Sequence, residues 1–137
     1  EKGYRLFGTD VTFEHDPYEA GLNFAVYWAK GDFTGRAALA RRRDAGPPVR
    51  RLCCLTFADP ADQVMGGEPV YRDGACAGYV TSAAYGYTAG TGVAHAWLPA
   101  ALAEPGTTVH IGYFDRLVPA RMAASPLVDP DMARLRG

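Results

Sequence analysis

The chain has 137 residues, 48% of them hydrophobic and 21% charged, and a formal net charge of −1. That length can bury one domain-sized core. The charge offers no basic footprint for nucleic acid or an anionic bilayer, and no apolar run approaches the ~20 residues that span a membrane.

The opening "EKGYRLFG" has neither the n-region nor the h-region of a signal peptide. It begins in mid-pattern and without methionine, which raises the expectation of a C-terminal piece of a longer cytoplasmic protein. Residues 1–16 are polar and turn-rich. "DPYEA" (16–20) reads as a helix start, with Asp16 at the N-cap, Pro17 first in the helix and Glu19 placed to complete a capping box. "LNFAVYW" (22–28) carries Leu22, Phe24 and Val26 at period two and reads as a strand. "TGRAALARRRDAG" (34–46) reads as a short helix stopped by Gly46 and Pro47-Pro48. Its Arg41, Arg42 and Arg43 fall where cations complement the helix dipole.

After Pro48 the texture becomes that of strands and turns. "RRLCCLTF" (50–57) is a strand, and "DPADQVMGG" (59–67) is a loop. Residues 68–87 read as two strands joined by Asp73-Gly74, a strong hairpin signal. "GVAHAWLP" (92–99) is another strand. "TTVHIGYF" and "LVPARMAA" form a last hairpin, with its turn at Asp115-Arg116. The tail "SPLVDPDMARLRG" reads as an extended segment tied back onto the body. Short strands at this spacing predict a small antiparallel barrel or sandwich. The fold class is mixed and mostly β, with a C-terminal β-barrel preceded by a strand–helix piece and a boundary near residues 46–49.

No catalytic constellation is expected from the residues. Glu14, His15 and Asp16 are adjacent in sequence, and such neighbours do not converge without a tight backbone fold, so a capping and turn role is favoured. There is no G-x-S-x-G, and no helix follows Gly86, Gly90 and Gly92 to make a dinucleotide fingerprint. Cys53, Cys54 and Cys76 contain no C-x-x-C pair, so no metal site is expected and they read as small core residues of a reducing compartment. Tyr79, Tyr85 and Tyr87 could offer a stacking face, though a packed barrel wall is the simpler reading.

Seven stretches in order carry a resemblance over essentially the whole chain: "EKGYRLFGTD", "EHDPYEAGLNFAV", "KGDFTGRAAL", "GGEPVY", "AGYVTSAAYGYT", "AWLP" and "PLVDPDMARLRG". Together they resemble the C-terminal region of the aminomethyltransferase superfamily, the group of the glycine-cleavage T-protein. "EHDPYEAGL" and "DPDMARLRG" look closest to the dimethylglycine oxidase/dehydrogenase and sarcosine dehydrogenase branch. The resemblance implies residues 1–48 as the end of a folate-binding domain with a linker helix, and 49–137 as the C-terminal barrel. It implies a parent enzyme that passes a one-carbon unit from an aminomethyl or iminium donor to tetrahydrofolate, with FAD only where a flavin domain precedes.

In that family the key aspartate and most pterin contacts lie upstream of the segment corresponding to Glu1. The isolated chain would then be inactive, a structural piece that closes the folate cavity. Its partners would be the upstream folate-binding domain and, where present, a flavin domain of the same polypeptide, with no nucleic acid and no membrane. The family's folate-proximal aromatic falls on Phe24, in "PYEAGLNF"; burial of that ring in a core is the competing reading. The alternative function is a non-enzymatic barrel-type binding or interaction module.

Overall fold

The structure, a computed structural model, describes residues 1–136. Six strands dominate it: β1 (Arg50–Phe57), β2 (Pro69–Arg72), β3 (Ala75–Gly86), β4 (Thr91–Pro99), β5 (Thr108–Tyr113) and β6 (Arg116–Ala123). They close into an antiparallel barrel in the order β1-β4-β3-β2-β5-β6. Closure leaves no strand edge unpaired, which is how a small all-antiparallel sheet avoids edge-to-edge association. The helices are α1 (Arg36–Asp44) before the barrel and α2 (Ala133–Arg136) after it.

Alternation builds the core. Cys53, Leu55 and Phe57 of β1 point inward, as do Ala94, Ala96 and Leu98 of β4 and Val118, Ala120 and Met122 of β6. Val70, Val80, Val109 and Ile111 complete the wall, and Val64 of the 58–68 loop packs onto it. Cys54 points outward, as the period of a strand demands, yet is buried as fully as Cys53. Arg5 and the chain's amino group lie close enough to act on its thiol.

The Asp73-Gly74 turn is where the sequence places it, with φ of +52° and +80°. That is the pair of left-handed residues that a twisted two-residue hairpin needs. The last hairpin turns one residue earlier than expected, at Phe114-Asp115, because Tyr113 pairs with Arg116. The expected turn corresponds to a two-residue slip of register, which leaves every inward side chain inward, so alternation could not separate the two. Pairing of β6 with β1 (Phe57 opposite Ala120) and the Arg116 guanidinium 5.9 Å from the Tyr113 ring go with the observed register.

Two elements are not as expected. "DPYEA" (16–20) starts no helix: residues 17–21 form turns, which Asp16 still caps. Residues 22–28 form no strand; they make two short 3-10 turns, Asn23–Ala25 and Trp28–Lys30. A strand needs a neighbour for its backbone groups. Among the described residues none lies beside this segment, and the amides of Ala25, Val26 and Lys30 bond locally to Leu22, Asn23 and Tyr27. The strand–helix piece ahead of the barrel is therefore an arm of turns followed by α1. The tail ties back as expected: the Leu127 N–H donates to the Glu1 carbonyl, and Lys2 pairs with Asp129 at 3.0 Å.

Candidate functional site: an arm latched to the barrel

Residues 1–21 cross the outer face of the barrel from the β3–β4 turn to the start of β1. At one end the Glu1 carboxylate accepts from the backbone amides of Thr88 and Ala89, both at 2.7 Å. At the other, the Leu52 N–H donates to the Glu19 carbonyl, and Arg50 reaches the Glu19 carboxylate at 3.2 Å. Asp10 is the hub between them.

Asp10 is 2% exposed. Its Oδ1 accepts from the hydroxyls of Thr81 and Ser82, each at 2.6 Å, and its Oδ2 accepts from the Leu6 amide at 2.9 Å. Its carbonyl accepts from the Trp97 indole at 2.9 Å. In a regular strand Thr81 and Ser82 would face opposite sides. A bulge sits there, since Val80 pairs with Ala96 and Ser82 with His95, leaving Thr81 as the extra residue. The bulge turns both hydroxyls outward onto one carboxylate oxygen. Burial works against the Asp10 charge, but the bonds from Leu6, Ser82 and Thr81 outweigh it and hold the carboxyl below its ordinary range. The His95 Nδ1 lies 3.7 Å from Asp10. Burial pushes the His95 imidazole down, with Asp10 opposing and Arg5 adding.

Beside the hub, His15 stacks on Trp97 with ring centroids 4.1 Å apart and planes 4° apart. The Thr12 N–H donates to its Nδ1 at 3.0 Å. Asp16 caps the next turn, its Oδ1 accepting from the amides of Tyr18 and Glu19 at 2.8 and 2.9 Å. Glu19 returns the favour to the Asp16 amide at 3.3 Å, which completes the capping box. The second Asp16 oxygen takes Arg42 of α1. Glu14, His15 and Asp16 thus face different partners and share no point in space.

The arm carries several exposed large apolar side chains. Tyr4, Leu6, Phe7, Phe13, Phe24 and Tyr27 are all exposed. Phe7 and Phe13 pack edge to face at 4.9 Å. A shallow cleft of about 350 Å³ opens among Phe7, Val11, His15, Ala20, Leu22 and Val26.

The decisive observation is a match over the barrel: a family model described as the glycine cleavage T-protein C-terminal barrel domain covers residues 50–129. The chain belongs to that family. It is 34% identical over 137 residues to the mitochondrial dimethylglycine dehydrogenase of Rattus norvegicus, covering 99% of this chain and 16% of that protein. It is 37% identical over 122 residues to the aminomethyltransferase of Symbiobacterium thermophilum, covering 88% of this chain and 32% of that one. The crystal structure of the glycine cleavage system aminomethyltransferase T from Bartonella henselae superposes with a TM-score of 0.85 at 26% identity, over 94% of this chain and 36% of the other. The chain therefore spans well under half the length of these relatives.

Within this T-protein barrel chain, Phe24 is 80% exposed and packs in no core of the described residues. Tyr79, Tyr85 and Tyr87 are exposed too, with Tyr85 and Tyr87 edge to face at 5.2 Å. Of the chain's other two histidines, His110 is exposed and His95 joins the Asp10 hub. Asp10, Thr81, Ser82 and Trp97 were missed as a group. The one signal for them was "VTSA", two hydroxyls in succession where a strand should alternate. Among the described residues no group of three or more His, Cys, Asp or Glu could hold a metal ion, and no helix is long and apolar enough to cross a membrane.

Proposed function

We propose that this chain is the C-terminal portion of a tetrahydrofolate-dependent aminomethyltransferase-type protein, which moves a one-carbon unit from an aminomethyl or iminium donor to tetrahydrofolate. The barrel holds the arm, and the arm's aromatic face closes one side of the folate cavity against upstream domains of the same polypeptide. Tetrahydrofolate supplies the acceptor chemistry; this chain supplies shape, an apolar wall and the ring of Phe24. Phenylalanine offers a π-face for a planar ligand but no N–H, so its contribution is stacking alone. Taken by itself, the chain is structural and inactive. FAD enters only where a flavin domain precedes.

The observation that carries this reading is the exposed aromatic arm, fixed to a barrel whose own core is complete. Family membership supports it, as does the small share of each relative that the chain covers. The alternative, a binding module that docks an acidic partner through its arginines, finds less support. Of Arg41, Arg42, Arg43, Arg50 and Arg51, three are engaged: Arg42 by Asp16 and Glu19, Arg50 by Glu19, and Arg43 by its neighbour Asp44, while Arg41 and Arg51 stand in no ion pair among the described residues.

Anaerobic calorimetry with reduced tetrahydrofolate tests the reading. The isolated chain should give no binding heat. In the intact parent, Phe24→Ala should weaken folate binding by ~1–3 kcal/mol, the scale of a lost aromatic stack. Because the ring is exposed, the unfolding midpoint of the isolated chain should not move. An unchanged folate dissociation constant in the parent variant overturns the assignment of Phe24.

A further inference from the structure

We propose that Arg36 is a positioning residue: it braces residues 23–33 against α1, so that the rings of Phe24 and Tyr27 are held in advance for a planar ligand. The inference rests on the reading of Phe24 above and adds the residue that places it.

Arg36 stands at the wrong end of a helix for a cation. It is the first residue of α1, where bare N–H groups make the potential positive, and no acidic residue shares that turn. Among the described residues it forms no ion pair. Its guanidinium serves the preceding loop instead. The Nη1 donates to the Trp28 carbonyl at 2.9 Å and to the Gly31 carbonyl at 2.8 Å. The guanidinium carbon lies 5.1 Å from the Trp28 ring centroid and 5.7 Å from that of Phe33. The Arg36 N–H donates to the Phe33 carbonyl at 3.0 Å. One residue thus ties down positions 28, 31 and 33.

The loop has no ladder and no core of its own to hold it. None of residues 23–33 is buried. Among the described residues, Arg36 is the one side chain that bonds to the backbone of this segment. Arg43, two turns further along α1 and so on the same face, lies 4.7 Å from the Trp28 ring centroid and supports the same residue. The helix is itself anchored. Arg42 pairs with Asp16 and Glu19, and the Glu19 carbonyl accepts from the Leu52 amide of β1. A continuous path therefore runs from the barrel through Glu19, Arg42 and Arg36 to the Trp28 turn, and Phe24 sits in the 3-10 turn just before it.

Phe24 is 80% exposed and Tyr27 70%, so packing alone fixes neither ring. A ligand that needs both rings in one place binds in proportion to the fraction of molecules that hold them there. Without the brace that fraction falls, and the apparent affinity falls with it. Saturating ligand still selects the same complex. Loss of Arg36 therefore belongs in the KM for tetrahydrofolate and not in kcat, whereas loss of folded enzyme would lower kcat.

Two experiments test this. In the 137-residue chain, chymotrypsin should cut after Phe24, Tyr27 or Trp28 about tenfold faster in Arg36→Gln than in the unsubstituted chain. Cleavage after Tyr87 and Phe114, exposed rings on barrel turns, is the internal control and should not change. Arg41→Gln removes an exposed cation of the same helix that stands in no ion pair, and it should behave as the unsubstituted chain. Equal cleavage in Arg36→Gln, or equal acceleration in Arg41→Gln, overturns the brace. In the intact parent, Arg36→Gln should raise the KM for tetrahydrofolate by about fivefold or more and leave kcat within about twofold. Combined with Phe24→Ala, it should add little to the loss from Phe24→Ala alone. An unchanged KM, a loss confined to kcat, or two fully additive losses overturns the proposal. The two possible failures are distinct. Phe24→Ala without effect on affinity sinks the reading of Phe24 and this proposal with it; Phe24→Ala with effect and Arg36→Gln without sinks this proposal alone.

Discussion

At the scale of single residues, Asp16 shows how one side chain can organise a turn and join two segments. One oxygen satisfies two amides of the 17–21 turn, and the other takes the Arg42 guanidinium from α1. Two of the causes that hold its carboxyl below the ordinary range are the bonds to the Glu19 amide and to Arg42, acting against burial. Asp16→Ala removes both functions while adding no bulk. It should cost about 0.5–2 kcal/mol, as N-cap losses do, read as a lowered urea midpoint at neutral pH. Retained stability would mean that the capping box does not set the turn. The cysteines are a residue-scale case of the opposite kind. Burial pushes the Cys53 thiol up to about 11 and raises Cys54 as well, so at neutral pH both are protonated packing atoms. Both sides of β1 are thereby closed to solvent at this pair, one by the core and one by the arm.

At the scale of elements, close backbone approach decides what β3 can tolerate. A Cβ placed on Gly78 would lie 1.9 Å from the Trp97 carbonyl oxygen of β4 and 3.1 Å from Leu98 Cδ2. The obstacle is backbone, so no side-chain rotation relieves it. Gly78→Ala must push β3 from β4 and should cost at least about 1–3 kcal/mol, measured by thermal or urea unfolding. A neutral substitution would show that the two strands separate freely there. Reading this barrel from sequence succeeded where a local rule had one outcome. "RRLCCLTF" alternates into a core, and Asp73-Gly74 supplies two left-handed residues, so β1 and the β2–β3 hairpin were legible to within a residue. It failed where the outcome depended on a neighbour. The period-two run Leu22, Phe24, Val26 is a strand only if something pairs with it, and nothing in residues 1–136 does. The last hairpin could slip by two without exposing any core residue, so its turn was settled by pairing with β1 rather than by its own pattern. The latch was hidden for the same reason: Asp10 and Ser82 are 72 positions apart, and only a bulge brings Thr81 and Ser82 to one oxygen.

At the scale of the whole molecule, the distribution of burial argues that the barrel is the folding unit and the arm its passenger. All fourteen residues of the core cluster lie between Cys53 and Met122, and the strand ladder closes without help from residues 1–48. The arm supplies cover rather than core: it hides Trp97 and Cys54, both on the outer face and both nearly inaccessible. A chain beginning at Val49 should therefore keep the β-sheet circular dichroism and a single cooperative unfolding transition. Its midpoint should fall, because the Trp97 indole loses the Asp10 carbonyl and β3 loses the carboxylate that gathers Thr81 and Ser82; each orphaned polar group costs about 1–3 kcal/mol if it stays dry, and less where water replaces the partner. The fluorescence of Trp97 should shift to the red as its outer face meets solvent. A noncooperative or unfolded product would mean that the arm is part of the barrel's stability and not a cover laid over it.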